Sequence, residues 1–169
     1  MDSKTTLTPE EENGFRNWYK TIAKQNNLPE DPDEPLDDNG DKSAVDHRKF
    51  FKRLVEDKDF SEGVQNMINH SQYNLDTGKA YKHKDGGVST IYSTSGSDEN
   101  GVEHIVPTVW DGKILEGEDI FIQARGSKKK WPTASNPDEA NETADWLHKL
   151  VMRQQPKTDV GKRALKLGI

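Results

Sequence analysis

Cysteine is absent from this chain of 169 residues. Without thiols the protein has no disulfide framework, no thiolate nucleophile and no cysteine-based zinc site. The protein therefore lacks the disulfide bonds that stabilise many small secreted domains, and it is not an enzyme with a cysteine nucleophile. A reducing compartment fits this composition.

Apolar residues are also scarce, at 30% of the chain against 32% charged residues. An ordinary globular protein is roughly half apolar, so we expect part of this chain to build no core. No stretch approaches the roughly 18 apolar residues that span a membrane, and residues 1–6 lack an apolar signal core. We expect synthesis in the cytoplasm and no membrane partner.

The net charge of −6 is unevenly distributed along the chain. Residues 1–46 hold twelve acidic side chains against five basic ones, whereas residues 157–169 hold four basic side chains against one acidic. An acidic head and a basic tail predict pairing with each other or with neighbouring subunits.

The clearest N-terminal element is a helix that begins near Pro9, where Thr8 caps and Glu11 completes a capping box. Its apolar side chains follow the helical spacing i, i+3, i+4 and i+7 and form one stripe. We expect this stripe to bind a groove on a partner; its residues are Phe15, Trp18, Tyr19 and Ile22.

Residues 27–42 contain three prolines and seven acids, which predicts a solvated linker. Gly40 in this segment suits a calcium loop, but Pro35 stands where the first ligand belongs, so no metal site is predicted. Ser43 with Asp46 then predicts a second helix cap, and Asp59 with Glu62 a third, short helix.

From Tyr73 the apolar pattern changes to period two, with turn dipeptides at Asp85-Gly86, Asn100-Gly101 and Asp111-Gly112. This pattern predicts a meander of three to four short antiparallel strands within 80–83, 88–94, 102–110 and 113–115. Helical patterns return from Gly117 to Gly126 and from the cap at Asn136 to Pro156.

The predicted fold class is α+β: a short antiparallel meander packed by the C-terminal helices, with N-terminal helices and extended polar arms. The expected segments are an N-terminal helix and acidic arm at 1–42 and a helical linker at 43–72. A core at 73–155 and a basic tail at 156–169 follow. Apolar residues in the tail are expected to bind a partner beside the basic ones; they are Val160, Leu165, Leu167 and Ile169.

Catalytic motifs are not apparent. The five histidines show no metal-pair spacing, and the Ser- and Gly-rich segments match neither a nucleophile elbow nor a P-loop. The sequence Lys128-Lys129-Lys130-Trp131 is a basic patch beside an aromatic residue. Two interpretations stay open for it: a nucleic-acid contact, or a solvated loop whose Trp131 packs on the sheet.

Two longer stretches carry recognisable patterns. One is Leu7-Thr8-Pro9-Glu10-Glu11-Glu12, continuing through Phe15 and Trp18 to the acidic linker. The other begins at Asn74, runs through Gly78-Lys79, Asp85-Gly86 and Ser89-Thr90 to Val106-Pro107-Thr108 and Asp111-Gly112-Lys113, and ends in a helical pattern at 137–148. Both resemble segments that recur in virion and virion-associated proteins of tailed bacteriophages, and together they cover about two thirds of the chain. The basic loop at 127–131 departs from the pattern.

This resemblance implies a non-enzymatic structural component of a phage particle, at the head–tail junction, on the tail or on the capsid. Its implied partners are portal, tail or capsid subunits, or further copies of itself, with no cofactor and no small-molecule substrate. No catalytic residue comes with the resemblance. The alternatives are a nucleic-acid-binding or ejected internal protein that uses 128–131, and a wall hydrolase.

Overall fold

The computed structural model describes residues 5–34 and 46–167, with the side chain of Leu167 excluded. Helices and short antiparallel strands both occur along these ranges, so the chain is of mixed α+β class as expected. In chain order the elements are α1 (Pro9–Asn26), α2 (His47–Glu56), α3 (Lys58–Asp76), β1 (Tyr81–Lys82), β2 (Val88–Ser89), β3 (Thr94–Ser97), β4 (Glu103–Val106), β5 (Val109–Trp110), β6 (Lys113–Ile114), α4 (Glu118–Gly126), β7 (Thr133–Ala134), α5 (Pro137–Val151) and α6 (Asp159–Leu167).

Helix α1 starts with the capping box that its sequence indicates. Thr8 Oγ1 accepts from the backbone N–H of Glu11, and Glu11 Oε2 accepts from the N–H of Thr8, each at 3.2 Å. The apolar stripe, however, is buried within the chain's own core: Phe15 is 0% exposed, Tyr19 2% and Ile22 5%. The stripe is therefore not a docking surface for another subunit in this structure.

Arg48 fastens α1 to α2. Its guanidinium donates to Glu12 at 2.7 Å and to Asp33 at 2.7 Å, and it lies 4.6 Å from the centre of the Phe15 ring. A planar guanidinium suits such a bidentate, ring-stacked position. The segment that follows α1 is consequently held against α2 as far as Asp33.

Helices α2 and α3 differ from their predicted limits. Asp46, rather than Ser43, caps α2, and Asp57, rather than Asp59, caps α3. Helix α3 is 19 residues long and extends through Tyr73 to Asp76, where the sequence pattern favoured a change to strand. Ser43 and the acidic segment 35–45, including the suspected calcium loop, lie outside the described residues.

The three predicted hairpin turns all join antiparallel strands, but the strands form separate small sheets rather than one meander. Strand β1 pairs with β2, β5 pairs with β6, and β3 pairs with β4 in the register Ser97↔Glu103 and Gly96↔His104. The third strand of the central sheet, β7, pairs with β4 and comes from far along the chain. The chain needs positive φ at the tips of these turns, and Asn-Gly and Asp-Gly tolerate it.

Helix α5 begins where the sequence predicts, with Asn136 Oδ1 accepting from Glu139 N–H at 2.9 Å. It buries its apolar face against α2, α3 and the central sheet. Its largest buried side chain is Trp146, which is 1% exposed and stacks on Phe50 with ring centres 4.4 Å apart. The sequence pattern did not single out this residue.

The C-terminal segment packs on the end of α3. Lys157 N–H donates to Asp76, and a Cβ added at Gly161 would lie 2.8 Å from the Cβ of Pro156 and 2.9 Å from the Cα of Asp76. Gln154, 5% exposed, donates to Asn26 Oδ1 at 2.8 Å and accepts from Ser71, so α1, α3 and the C-terminal segment share one buried polar network. Residues 156–167 are therefore docked on the fold.

The predicted segments 1–42, 43–72 and 73–155 do not correspond to separate hydrophobic cores. One cluster of buried side chains draws on α1, α2, α3, β4, β7 and α5, and a smaller one lies beneath α4. The N-terminal helices supply much of the apolar surface that the middle of the chain lacks.

Candidate functional site

One cleft, which we name the hairpin cleft, lies between the β3–β4 hairpin, α4 and the loop 127–131. Its volume is about 660 Å³, within the range of ligand pockets and of grooves that accept protein side chains. Strands β3 and β4 position one wall and α4 the other. The start of α3 closes one end through Asp59.

The floor of the hairpin cleft is apolar. It consists of Val106, Phe121, Ala124 and Trp131, which belong to the smaller core cluster. Gly96 makes this floor possible, because a Cβ there would lie 2.7 Å from Cζ of Phe121. The missing side chain lets the Phe121 ring lie directly on strand β3.

A histidine–aspartate pair stands on the rim. His104 Nε2 contacts Asp98 Oδ2 at 2.8 Å, and the same aspartate accepts backbone N–H groups of Asn100 and Val102 across the hairpin turn. The bond from His104, followed by the bond from the Val102 N–H, lowers the pKa of Asp98 below its ordinary value. Asp98 thus fixes both the turn and the orientation of the imidazole ring.

The neighbouring hydroxyl is bonded to a carboxylate and not to the histidine. Ser97 Oγ donates to Oε1 of Glu103, which is only 4% exposed. Ser97 and His104 therefore do not form a hydrogen-bonded serine–histidine pair in this structure. What the cleft offers is an apolar floor with hydrogen-bonding groups on its rim.

The basic loop forms the opposite rim. Lys130 Nζ lies 2.7 Å from Asp59 and 3.3 Å from Glu62, both on α3. The bond to Asp59, followed by the bond to Glu62, raises the pKa of Lys130. The bond from Lys130 in turn lowers the pKa of Asp59. Lys128 and Lys129 are exposed.

Trp131 is used within the fold. It is half-buried, packs against both core clusters and donates from Nε1 to the carbonyl of Ala124 at 3.2 Å. The nucleic-acid interpretation requires this ring for stacking and all three lysines for phosphates. In the structure the ring packs on the protein, and Lys130 is paired with two carboxylates, a contact that neither interpretation anticipated.

The residues expected to bind partners are dispersed. Trp18 lies half-buried between Phe51 and Trp146, with ring centres 5.5 and 6.4 Å away, and the rest of its stripe is core. Leu165 is 39% exposed on α6, and Val160 59%. The side chain of Leu167, and Ile169 altogether, lie outside the described residues.

Sequence reasoning missed the His104–Asp98 pair. Its signal was present, because both residues flank the turn at Asn100-Gly101 and a hairpin brings flanking positions together. The apolar floor carried no such signal, since Gly96 and Phe121 meet only through packing between distant elements.

Within residues 5–34 and 46–167, no group of three or more His, Asp or Glu side chains is placed to hold a metal ion. None of the helices in those ranges is long and apolar enough to cross a membrane. Comparison with known proteins gives no match to a family model, to a curated protein or to a solved structure.

Proposed function

We propose that this protein is a non-enzymatic structural component of a tailed-bacteriophage particle, which binds a neighbouring virion subunit in the hairpin cleft. The cleft replaces the N-terminal stripe as the docking site, because that stripe is buried in the chain's own core.

The observation that carries the proposal is the role of the phage-like pattern in the fold. Lys79 Nζ pairs with Asp111 at 3.2 Å, and the backbone carbonyl of Lys79 accepts from Gly112 N–H at 2.9 Å. Thr108 donates from Oγ1 to the carbonyl of Tyr92 and from its N–H to that of Ile91. Residues from both halves of the pattern bind each other, which supports a shared scaffold as the reason for the resemblance.

The composition of the hairpin cleft favours a polypeptide as its occupant. Three bases and three acids stand on its walls beside His104; they are Arg125, Lys129, Lys130, Asp59, Asp98 and Glu118. Such a balanced rim repels no particular net charge and suits an extended segment with both signs, whereas a polyanion would meet the acids. The apolar floor supplies the contact area that anchors one or two side chains.

Membership of the particle is tested by quantitative mass spectrometry of virions released by cells that carry the gene. Peptides of this chain are expected in particles purified by density gradient, at a constant ratio to the major capsid protein. Presence in the lysate together with absence from the purified particles would contradict the proposal.

The docking site is tested with two neighbouring positions on α4. Phe121→Ala removes the aromatic floor and is expected to reduce the copies per particle about tenfold, because buried aromatic anchors dominate interface energies. Ile122→Ala, at a residue 55% exposed on the same helix, is the matched control and is expected to leave incorporation unchanged.

Arg125→Glu changes the exposed rim of the hairpin cleft and is expected to reduce incorporation without unfolding the protein, because the side chain is exposed. Wild-type incorporation of both Phe121→Ala and Arg125→Glu would exclude the hairpin cleft as the docking site.

A further inference from the structure

A second depression, which we name the amide cleft, lies between α3, the β5–β6 turn and α4. Its volume is about 440 Å³. Lys129 lines both this cleft and the hairpin cleft and so separates them. Every other described side chain that lines it is aromatic, amide-bearing or carboxylate, and none is aliphatic. The cleft is therefore chemically unlike the apolar floor next to it.

Two aromatic rings form one part of the amide cleft. Tyr73 on α3 is 52% exposed, which is high for a large ring, and Lys79 Nζ lies 5.6 Å from its ring centre and donates to its hydroxyl at 3.4 Å. Trp110 is half-buried and fixed in orientation, since its Nε1 donates to the carbonyl of Pro107 at 2.8 Å. Its ring centre lies 4.4 Å from that of His70. Rigid, partly exposed aromatic rings provide flat contact area at small entropic cost.

His70 supplies a hydrogen-bond acceptor. It is 6% exposed, and its Nε2 lies 2.8 Å from the carbonyl oxygen of Val109, so Nε2 must carry the proton. Burial lowers the pKa of His70, which keeps the ring neutral at pH 7. Nδ1 consequently holds a lone pair, and no described residue donates to it.

The amide side chains add both donors and acceptors. Asn74 donates from Nδ2 to the carbonyls of Thr90 at 2.7 Å and Val109 at 3.3 Å, which leaves its Oδ1 as an acceptor. Asn69 accepts at Oδ1 from Gln65, which leaves its amide N–H groups as donors. Gln123, exposed on α4, lies on the opposite side of the cleft.

These groups together discriminate between classes of ligand. A purely apolar ligand would cover the amides and His70 without offering them hydrogen-bond partners, which is unfavourable. A polyanion would meet Lys129 but also the carboxylate of Asp111, which lies 3.2 Å from Lys79 Nζ. A neutral sugar has an apolar C–H face for the rings and hydroxyls that both donate and accept for the amides.

We propose that the amide cleft binds a neutral saccharide, stacked on Tyr73 and Trp110 and hydrogen-bonded by Asn69, Gln123 and His70. The cleft has room for about one or two sugar units. The site is separate from the hairpin cleft, and its role stands whether or not the chain is a virion component.

The test is a titration of the full-length, isotope-labelled protein followed by two-dimensional ¹H–¹⁵N NMR. The probes are glucose, galactose, mannose and N-acetylglucosamine, with uridine and adenosine as comparators. We expect saturable shifts of the Trp110 indole N–H and the Gln123 side-chain amide with at least one sugar, with Kd in the range of about 1–10 mM.

Substitutions test whether the NMR shifts arise from sugar bound in the amide cleft. Tyr73→Ala is expected to weaken sugar binding at least about tenfold, and Gln123→Ala provides a second variant at an exposed position. Tyr92→Ala, at a tyrosine 62% exposed that does not line the cleft, is the matched control and is expected to bind as wild type. The proposal is overturned if no sugar produces a saturable shift at about 100 mM, or if only the nucleosides do so. Sugar shifts that survive both cleft variants would overturn it equally.

Discussion

His47 is the residue whose chemistry depends most on its surroundings. It is 2% exposed, and its Nδ1 accepts from Trp146 Nε1 at 3.1 Å, so the ring must be neutral with its proton on Nε2. Burial lowers the pKa of His47 from 6.5 to about 4, against smaller opposing effects of Asp46 and Asp33. Acid would both charge a buried ring and remove its bond to Trp146.

The pH dependence of stability follows from this depressed pKa. Above pH 6.5 His47 is neutral in the folded and unfolded states, so its contribution is fully present. As the pH falls from 6.5 toward 4, the unfolded chain binds the proton first, and up to about 3 kcal/mol of the free energy of unfolding is lost. Urea unfolding measured at half-unit steps between pH 7 and pH 4 checks this.

Substitutions separate His47 from other titrating groups. His47→Gln retains an acceptor for Trp146 but cannot titrate, so its free energy of unfolding is expected to fall less steeply between pH 6.5 and pH 4. His83→Gln, at an exposed histidine, is the control and should keep the wild-type slope. Equal slopes for all three proteins would show that His47 does not cause the acid sensitivity.

At the scale of elements, the sequence predicted the helix caps and turns that depend on residues close together in the chain. The capping box at Thr8, the cap at Asn136, the glycine boundaries of α4 and the three turn dipeptides all act within a few residues, and each stands where the sequence placed it. The starts of α1 and α5, the bounds of α4 and the hairpin turns were therefore accessible from the sequence.

Elements that depend on distant partners were not accessible. Strand β7 has two residues and exists because Ala134 pairs with Glu103 of β4. Helix α3 continues past Tyr73 because Asn74 and Leu75 are buried beneath the β-hairpins and the C-terminal segment. Burial of Trp146 likewise requires α1 and α2 to be in place.

Gly63 tests how closely α3 approaches the loop before β7. A Cβ at this position would lie 2.6 Å from both the nitrogen of Pro132 and the carbonyl carbon of Trp131. These are backbone atoms, and the Pro132 carbonyl also accepts from Ile105 N–H, so they cannot move freely. Gly63→Ala is expected to lower the free energy of unfolding by about 1–3 kcal/mol, measured from the midpoint of chemical denaturation.

Gly14→Ala is the matched control for that substitution, because Gly14 also lies inside a helix. Its added Cβ would lie 3.5 Å from Cζ of Phe51, an ordinary contact distance. The gain in helix propensity then predicts stabilisation by up to about 1 kcal/mol. If both alanine variants are stabilised, the close approach of α3 to the 131–132 loop is not present in solution.

At the scale of the whole molecule, the first and last described helices, α1 and α6, both pack on the rest of the fold. The stripe of α1 was predicted correctly as apolar and in need of burial, but its partner is α2 and α5 of the same chain. A sequence pattern identifies which face is buried and does not identify what covers it. The same reason explains why the clefts, which are assembled from α3, α4 and the hairpins, were not predicted.

This arrangement is the reason that our proposals place partner recognition in preformed clefts and not in flexible arms. Arg48 joins α1, α2 and the segment at Asp33, while Gln154 joins α1, α3 and the C-terminal segment. A preformed cleft binds without the cost of ordering a disordered arm. The subunit docking proposed for the hairpin cleft and the sugar binding proposed for the amide cleft both depend on such rigidity.

Hydrogen exchange on the purified full-length chain tests this central claim most directly. Amides in the interior of α1 are expected to be protected to a similar degree as those of α5, since both helices bury their apolar faces in one core. Rapid exchange throughout α1 beside a protected α3 and α5 would contradict the account, because α1 would then be an arm that awaits a partner.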